Sequence, residues 1–185
     1  VKKVYFVTGN KGKYKEAKQK LSDFNIDVFQ KDIGYPEIQA DSLEEVANYG
    51  IDLLKNRINE DFILEDAGLF IESLEGFPGV YSKYVFYTIG CEGILKLLDG
   101  INNRKAVFRS VFAYCDNKGM KKLFVGECKG KISKKMRGNK GFGYDPIFVP
   151  DKEHKTFAQM DTKEKNIYSH RGKSLKKLGH FFKKR

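Results

Sequence analysis

The chain has 185 residues, 41% of them apolar and 14% aromatic, which excludes bulk disorder and lets a core form without disulfide or metal staples. Its 35 Lys and Arg outweigh 24 Asp and Glu, a formal charge of +11, so charge favours polyanionic partners, nucleotide phosphates and nucleic acid alike. Cys91, Cys115 and Cys128 are odd in number and widely spaced, which excludes a disulfide framework and a cysteine-rich zinc site, and no apolar run approaches the ~18 residues of a membrane span.

Residues 3–8 read as a buried strand rather than as the long apolar run and small-residue cleavage site of a signal peptide, so a cytoplasmic location is expected. A turn, Gly9-Asn10-Lys11-Gly12-Lys13, leads into a basic helix that runs to about Leu21. Residues 26–31 alternate as a second strand. Ser42-Leu43-Glu44-Glu45 is a capping-box signature, and the helix it opens carries Leu43, Val46, Ala47, Leu54 and Ile58 at helical spacing. Phe62-Ile63-Leu64 reads as a buried strand ending at Glu65-Asp66-Ala67-Gly68, continued after a bend by residues 69–73. Gly and Pro mark 75–79 as a turn or loop, and 91–98 as a short helix follows. Two long strands, 106–115 and 121–129, are joined by the hairpin turn Asp116-Asn117-Lys118-Gly119. A strand at 147–149 and a helix at 169–182, with Leu175, Leu178 and Phe182 on one face, complete the order. It predicts an α/β fold: an elongated mixed sheet flanked by helices, in a single domain over 1–185 with two lobes and a central cleft.

Four segments carry chemistry. Thr8-Gly9-Asn10-Lys11-Gly12-Lys13 joins a strand to a helix N-terminus, where backbone N–H groups receive anions; it is either a phosphate cradle or a plain turn, and its spacing is not that of a Walker A loop. Glu37, Glu65 and Asp66 are carboxylates that either bind Mg²⁺ together with substrate phosphates or form structural ion pairs. Gly141-Phe142-Gly143-Tyr144-Asp145-Pro146 is a shaped loop whose aromatics either stack on a base or belong to the core, with Asp145 a hydrogen-bond acceptor. Ser169-His170-Arg171, with Lys165 upstream, puts donors at the start of the last helix. Lys outnumbers Arg by 29 to 6 with only four Gln, which suits a thermophile's solvated surface at least as well as a groove reader, since groove readers rely on Arg.

In this order the segments resemble the inosine/xanthosine triphosphate pyrophosphatase family, from Val4 to about Leu178: Thr-Gly-Asn-x-x-Lys, Pro-Glu, Glu-Asp-x-Gly-Leu, Gly-x-Pro-Gly-x-Tyr-Ser, Gly-Phe-Gly-x-Asp-Pro and Ser-His-Arg. The resemblance implies hydrolysis of ITP, dITP or XTP to the monophosphate and pyrophosphate, with Mg²⁺ as cofactor. Thr8, Asn10 and Lys13 would hold the triphosphate. Glu37 and Asp66 would serve the metal, and Asp66 and Lys13 would be the catalytic pair. Phe142, Tyr144 and Asp145 would line the base pocket, Lys165 would meet phosphate or sugar, and Ser169, His170 and Arg171 would read the 6-oxo group. Ser82 would touch phosphate. A homodimer is implied, with no membrane and no stable nucleic-acid partner. The chain departs from the family pattern at three places. Tyr144 stands where many relatives carry Trp, Ala67 where Ser or Thr is common, and Lys83-Tyr84 where many have Ala-Arg. The rival from another class is a basic nucleic-acid-binding module without catalysis; a second rival, within enzymes, is a pyrophosphatase of modified pyrimidine nucleotides.

Overall fold

The computed structural model describes residues 2–184. Its strands are β1 (Lys2–Val7), β2 (Ile26–Lys31), β3 (Phe62–Ile71), β4 (Pro78–Gly79), β5 (Lys105–Cys115), β6 (Lys121–Ile132) and β7 (Phe148–Pro150). Its α-helices are α1 (Lys11–Ser22), α2 (Leu43–Leu54), α3 (Ser82–Thr88), α4 (Gly90–Leu97), α5 (Thr162–Tyr168) and α6 (His170–Lys183). The strands form one mixed sheet in the order β2-β1-β3-β5-β6-β7, with β4 paired on β3. The predicted α/β class and the elongated mixed sheet are therefore present. Among the described residues no helix is long and apolar enough to cross a membrane.

The cleft originates in how β3 is paired. One edge is matched along its whole length by β5, from Phe62↔Cys115 to Ile71↔Ala106. The other edge meets β1 only at Phe62 and Ile63 and β4 only at Leu69 and Phe70. Between them residues 64–68, roughly 17 Å of strand, face a gap, and this stretch contains Glu65 and Asp66. The sheet therefore carries two carboxylates in mid-strand, which corrects the expectation that they end a strand before a bend. The unbroken pairing with β5 keeps the backbone extended through Ala67 and Gly68.

Three apolar clusters flank this gap. One packs β1 and β5 against α1 and α6 through Phe6, Leu21, Phe112, Leu175 and Leu178. A second packs the opposite face against α2 through Leu43, Ile51, Leu54 and Phe62. The third lies towards the far ends of β3, β5 and β6 and gathers Leu69, Ile94, Phe108, Phe148 and Phe157. Helix α2 ends at Leu54 with Lys55 as its C-cap, so Ile58, expected on the helix, is buried from the turn that follows. Its start is as expected: Ser42 accepts from Glu45 N at 3.2 Å, though the Glu45 carboxylate accepts from Asp41 N rather than from the cap itself. Strand β1 stops at Val7 and leaves Thr8 in the turn, and β6 runs on past Lys129 to Ile132.

Helix α6 lies against β6 closely enough that glycine is required beneath it. A Cβ at Gly126 would sit 2.1 Å from His170 O and 2.5 Å from Ser174 N. The added methyl cannot be met by a side-chain rotation, since both contacts are backbone. Gly126→Ala is expected to destabilise the fold by about 1–3 kcal/mol. A thermal melt compared with Lys176→Ala, on the exposed face of α6, checks this; equal midpoints would mean the helix stands off the sheet.

Candidate active site

The gap opens into a cavity of about 510 Å³, bounded by the turn after β1, the 32–37 segment, the middle of β3, α3, the 142–145 loop and the start of α6. The turn after β1 is built by its own side chains. Thr8 Oγ1 accepts from Asn10 N at 3.1 Å, and Asn10 Oδ1 caps α1 by accepting from Lys13 N at 2.9 Å. The first turn of α1 is bare of side chain at Gly12, where a Cβ would fall 2.3 Å from the Phe142 ring. That closeness brings the 141–145 loop against the helix N-terminus.

From the cavity wall into the protein behind it runs a chain of alternating charges. Asp145 Oδ2 is 2.5 Å from Lys165 Nζ, which is 2.6 Å from Glu16 Oε1. Glu16 Oε2 accepts from Arg171 at 2.6 Å, and Arg171 Nε donates to Glu65 Oε1 at 2.9 Å. Lys13 Nζ closes the chain 2.9 Å from Glu65 Oε2 and also donates to Glu65 O at 3.2 Å. Ser110 Oγ donates to Glu65 Oε1 at 2.7 Å. Burial pushes the Glu65 carboxyl up, but Arg171, Lys13 and the Ser110 hydrogen bond outweigh it and hold the group well below the usual carboxylate range. Glu16 is likewise held down against its burial by Arg171 and Lys165. These groups are charged, paired and fixed.

Two neighbours in the cavity are the opposite. Asp66, the residue after Glu65, projects from the other face of β3, and its Oδ2 is buried without a hydrogen-bond partner. Burial, only partly opposed by Lys13 and reinforced by Glu65 and Glu37, pushes its pKa up to about 6. His170 is 2% exposed, its ring stacked on Phe108 at 4.5 Å and 9°, and its Nδ1 is also buried without a partner. Burial, then the charge of Arg171, takes its pKa well below that of a free imidazole, so the ring is neutral. Buried polar atoms are normally hydrogen-bonded; an unsatisfied acid and an unsatisfied imidazole in one cavity mark places where a ligand completes the bonding.

The structure brings together Thr8, Asn10, Lys13, Glu37, Asp66, Ser82, Phe142, Tyr144, Asp145, His170 and Arg171 around this cavity. Lys165 and Ser169 lie behind the wall: Lys165 in the charge chain, Ser169 fully buried as the α6 N-cap, accepting from Gly172 N at 3.0 Å. Several side chains are already engaged. Ser82 Oγ donates to Gly79 O and accepts from Leu69 N, pinning α3 to β3. Tyr144, expected to stack on a base, is 4% exposed, donates its hydroxyl to Ser82 O at 2.8 Å and meets Phe86 edge-on. Phe142 lies 4.7 Å from Lys165 Nζ and 5.3 Å from the Arg171 guanidinium. Sequence reasoning missed Glu16, whose place within a Lys-rich helix reads as a solvated face. It also missed Asp32 and Tyr35, which line the cavity from the segment after β2; no spacing signal marks them.

The donor set fits a hard cation shared with a ligand. Among the described residues no three His, Cys, Asp or Glu converge on one point. Mg²⁺, however, is ordinarily held by one or two carboxylates and takes the rest of its shell from phosphate oxygens and water. The unpartnered Asp66 oxygen and the exposed Glu37 carboxylate on the same cavity are such a pair.

Known proteins resemble this chain over nearly all of its length. The sequence profile of the Ham1 family matches residues 4–181. A protein of Methanopyrus kandleri named dITP/XTP pyrophosphatase is 53% identical over 98% of this chain and 96% of its own. One of the same name from Pyrococcus horikoshii is 54% identical over 94% of this chain and 93% of its own. The solved structure of the Staphylococcus aureus Ham1 protein superposes with a TM-score of 0.82 at 29% identity, covering 98% of both chains. Motifs, fold and near-complete alignment agree, and this chain belongs to the Ham1 family.

Proposed function

We propose that this chain is a nucleoside-triphosphate pyrophosphatase of the nucleotide pool, a single domain with two lobes. It hydrolyses the non-standard purine nucleotides ITP, dITP and XTP to the monophosphate and pyrophosphate, with Mg²⁺. The observation that carries this reading is the buried Asp66 oxygen without a partner, in a cavity that the capped N-terminus of α1 also lines. The names of the relatives support the substrate class.

In this reading the triphosphate lies against the first turn of α1, where free N–H groups and Thr8, Asn10 and Lys13 meet its oxygens. Asp66 and Glu37 would hold Mg²⁺, which when bound supplies charge neutralisation at the phosphates. Asp66 orients the water that attacks the α-phosphorus, the α–β phosphoanhydride bond breaks, and pyrophosphate leaves. Most of the work is positioning and charge stabilisation in a site already assembled. The charge chain behind the wall fixes Lys13 and Arg171 in place, so little reorganisation accompanies the step.

Base selection follows from donors and acceptors. Hypoxanthine and xanthine present an oxygen at position 6, where adenine presents an amino group. Arg171 and His170, whose Nδ1 has no hydrogen-bond partner, line the cavity. A donor left unsatisfied by adenine costs about 1–3 kcal/mol, and several such mismatches multiply. A nucleic-acid module accounts poorly for five carboxylates on the cavity wall, which would repel a backbone phosphate. The reading also carries a homodimer in the cytoplasm, the first of which sedimentation tests.

Pyrophosphate release is expected from ITP, dITP and XTP with Mg²⁺, with ATP and modified pyrimidine triphosphates turned over far more slowly and EDTA abolishing all of it. A panel in which pyrimidine triphosphates lead, or no triphosphate is cleaved, would overturn the assignment. Asp66→Asn should lower turnover at least about 100-fold. The same substitution should stabilise the metal-free protein. A carboxyl raised from 3.8 to about 6 favours the fold when protonated and opposes it when charged, so its contribution is lost as pH rises through about 6. At pH 7.5 in EDTA the gain is about 2–3 kcal/mol, read as a higher melting temperature that converges with the wild type near pH 4. A variant that is slow and also less stable would make Asp66 a structural residue.

A further inference from the structure

A second cavity, of about 810 Å³, opens where β5 begins and β6 ends, and it shares no lining residue with the first. Its charge is of one sign. Arg104, Lys105, Lys131, Lys134, Lys135 and Arg137 line it, and no carboxylate does. Among the described residues none of the six stands in an ion pair. The register of β5 on β6 sets Lys105 directly opposite Lys131. Further along the same face Arg109 stands opposite Glu127 and donates to it at 3.0 Å. Opposite charges across a sheet stabilise the pairing and like charges oppose it, so the Lys105–Lys131 pair works against the fold until an anion answers it. Backbone contacts hold the cluster in place. Arg104 Nε, Nη1 and Nη2 donate to Ile132 O, Leu98 O and Ser133 O at 2.9, 2.8 and 2.9 Å. Its guanidinium is fixed by neutral acceptors, and its charge is unanswered. The loop after β6 is tied by Ser133 N to Ile147 O and by Arg137 N to Pro146 O, and Ser133 Oγ donates to Lys135 O at 2.7 Å. The four lysines are exposed, and no hydrogen bond engages their ammonium groups among the described residues.

We propose that this cavity is a second anion site, which takes a compact chain of phosphates, free or as the tail of a nucleotide, by charge alone. The proposal stands apart from the pyrophosphatase reading, since the two cavities have no residue in common. Lys105 and Lys131 meet the chain from the sheet and Lys134 and Lys135 from the loop, while Arg104 adds a fixed charge where sheet and loop join. A single phosphate answers too few of six charges; a chain of them answers most. Ammonium groups are point charges with rotatable donors, so they follow phosphate oxygens without imposing one geometry. No aromatic side chain lines the cavity, and a base would find nothing to stack on. Its volume lies within the ~300–1,000 Å³ of cavities that hold small molecules, which favours a compact ligand over a length of nucleic acid.

The test is calorimetric titration of the protein in EDTA with inorganic tripolyphosphate, ATP and a mixed-sequence single-stranded RNA. The wild type is compared with the double variant Lys105→Met, Lys131→Met and with Lys118→Met, Lys176→Met, which removes equal charge at two exposed positions elsewhere. Saturable binding of tripolyphosphate is expected in the wild type. The Lys105→Met, Lys131→Met variant should weaken it at least about tenfold, and the Lys118→Met, Lys176→Met variant should stay within about threefold. ATP held about as tightly as tripolyphosphate would show that the tail of a nucleotide serves, and ATP held far more weakly would restrict the ligand to the free chain. Wild-type protein that does not bind tripolyphosphate, binding untouched by Lys105→Met, Lys131→Met, or equal losses in the two variants would each overturn the site. RNA held at least about tenfold tighter than tripolyphosphate and released by the same variant would make this a nucleic-acid surface and overturn the compact ligand. The melting midpoint of Lys105→Met, Lys131→Met should not fall, because the pair it removes is repulsive; a lower midpoint together with lost binding would make the two lysines structural and overturn their role.

Discussion

A carboxylate withdrawn from water loses several kcal/mol of solvation even after the protein relaxes around it, and the Glu65 side chain is entirely withdrawn. Everything that answers this loss comes from a different part of the chain: Lys13 from α1, Ser110 from β5 and Arg171 from α6. Arg171 in turn needs Glu16, and Glu16 needs Lys165. The bonds from α1 to α5 and α6 join residues 149 and 155 positions apart. One buried charge thus fixes how the last two helices dock on the first. A pairing of this kind adds little net stability over an apolar core of the same shape; what it supplies is a single docking geometry, because any other leaves a charge alone.

The same strand that buries Glu65 leaves Asp66 unsatisfied, and the pleat is the reason. Successive side chains on β3 point to opposite faces. Glu65 shares its face with Phe112 and Ser110 beneath α6, whereas Asp66 lies on the face of Val111 and α2. Neither can exchange roles with the other without a one-residue slip of register, which the ten paired positions with β5 forbid. The site is therefore encoded by two adjacent acids whose environments separate them: one pKa driven down by cations, the other driven up by burial and by its neighbours' charge.

What the sequence disclosed and withheld follows from range. Local signals were sound: the alternation of β2, the Ser42 cap and the 116–119 hairpin turn all appear, because each depends on residues within a few positions. Helix α5 was overlooked although Asp161 accepts from Glu164 N in an ordinary cap, since seven residues give too little apolar periodicity to see. Helix α3 was overlooked for the same shortness, with no side-chain cap to mark it. The motif residues were legible because they punctuate turns. Glu16 was not, because a lone acid among lysines looks solvated until α5 and α6 cover it. Tyr144 shows the limit from the other side: an aromatic in a glycine-rich loop suggests a stacking platform, yet its hydroxyl reaches Ser82 O and ties the loop to α3.

Electrostatics acts on this chain at two scales. The whole chain carries +11 and draws polyanions from a distance. The cavity, with five carboxylates against three cations, repels them on arrival. A bare polyphosphate or a nucleic-acid backbone is thus attracted to the surface and refused at the floor. In the proposed reading a triphosphate accompanied by a divalent cation is not refused, because the cation would meet the unpartnered Asp66 oxygen while the phosphates would meet the α1 N-terminus. Long-range attraction without local acceptance sorts ligands by whether they bring positive charge of their own, and it does so before any contact with the base is made.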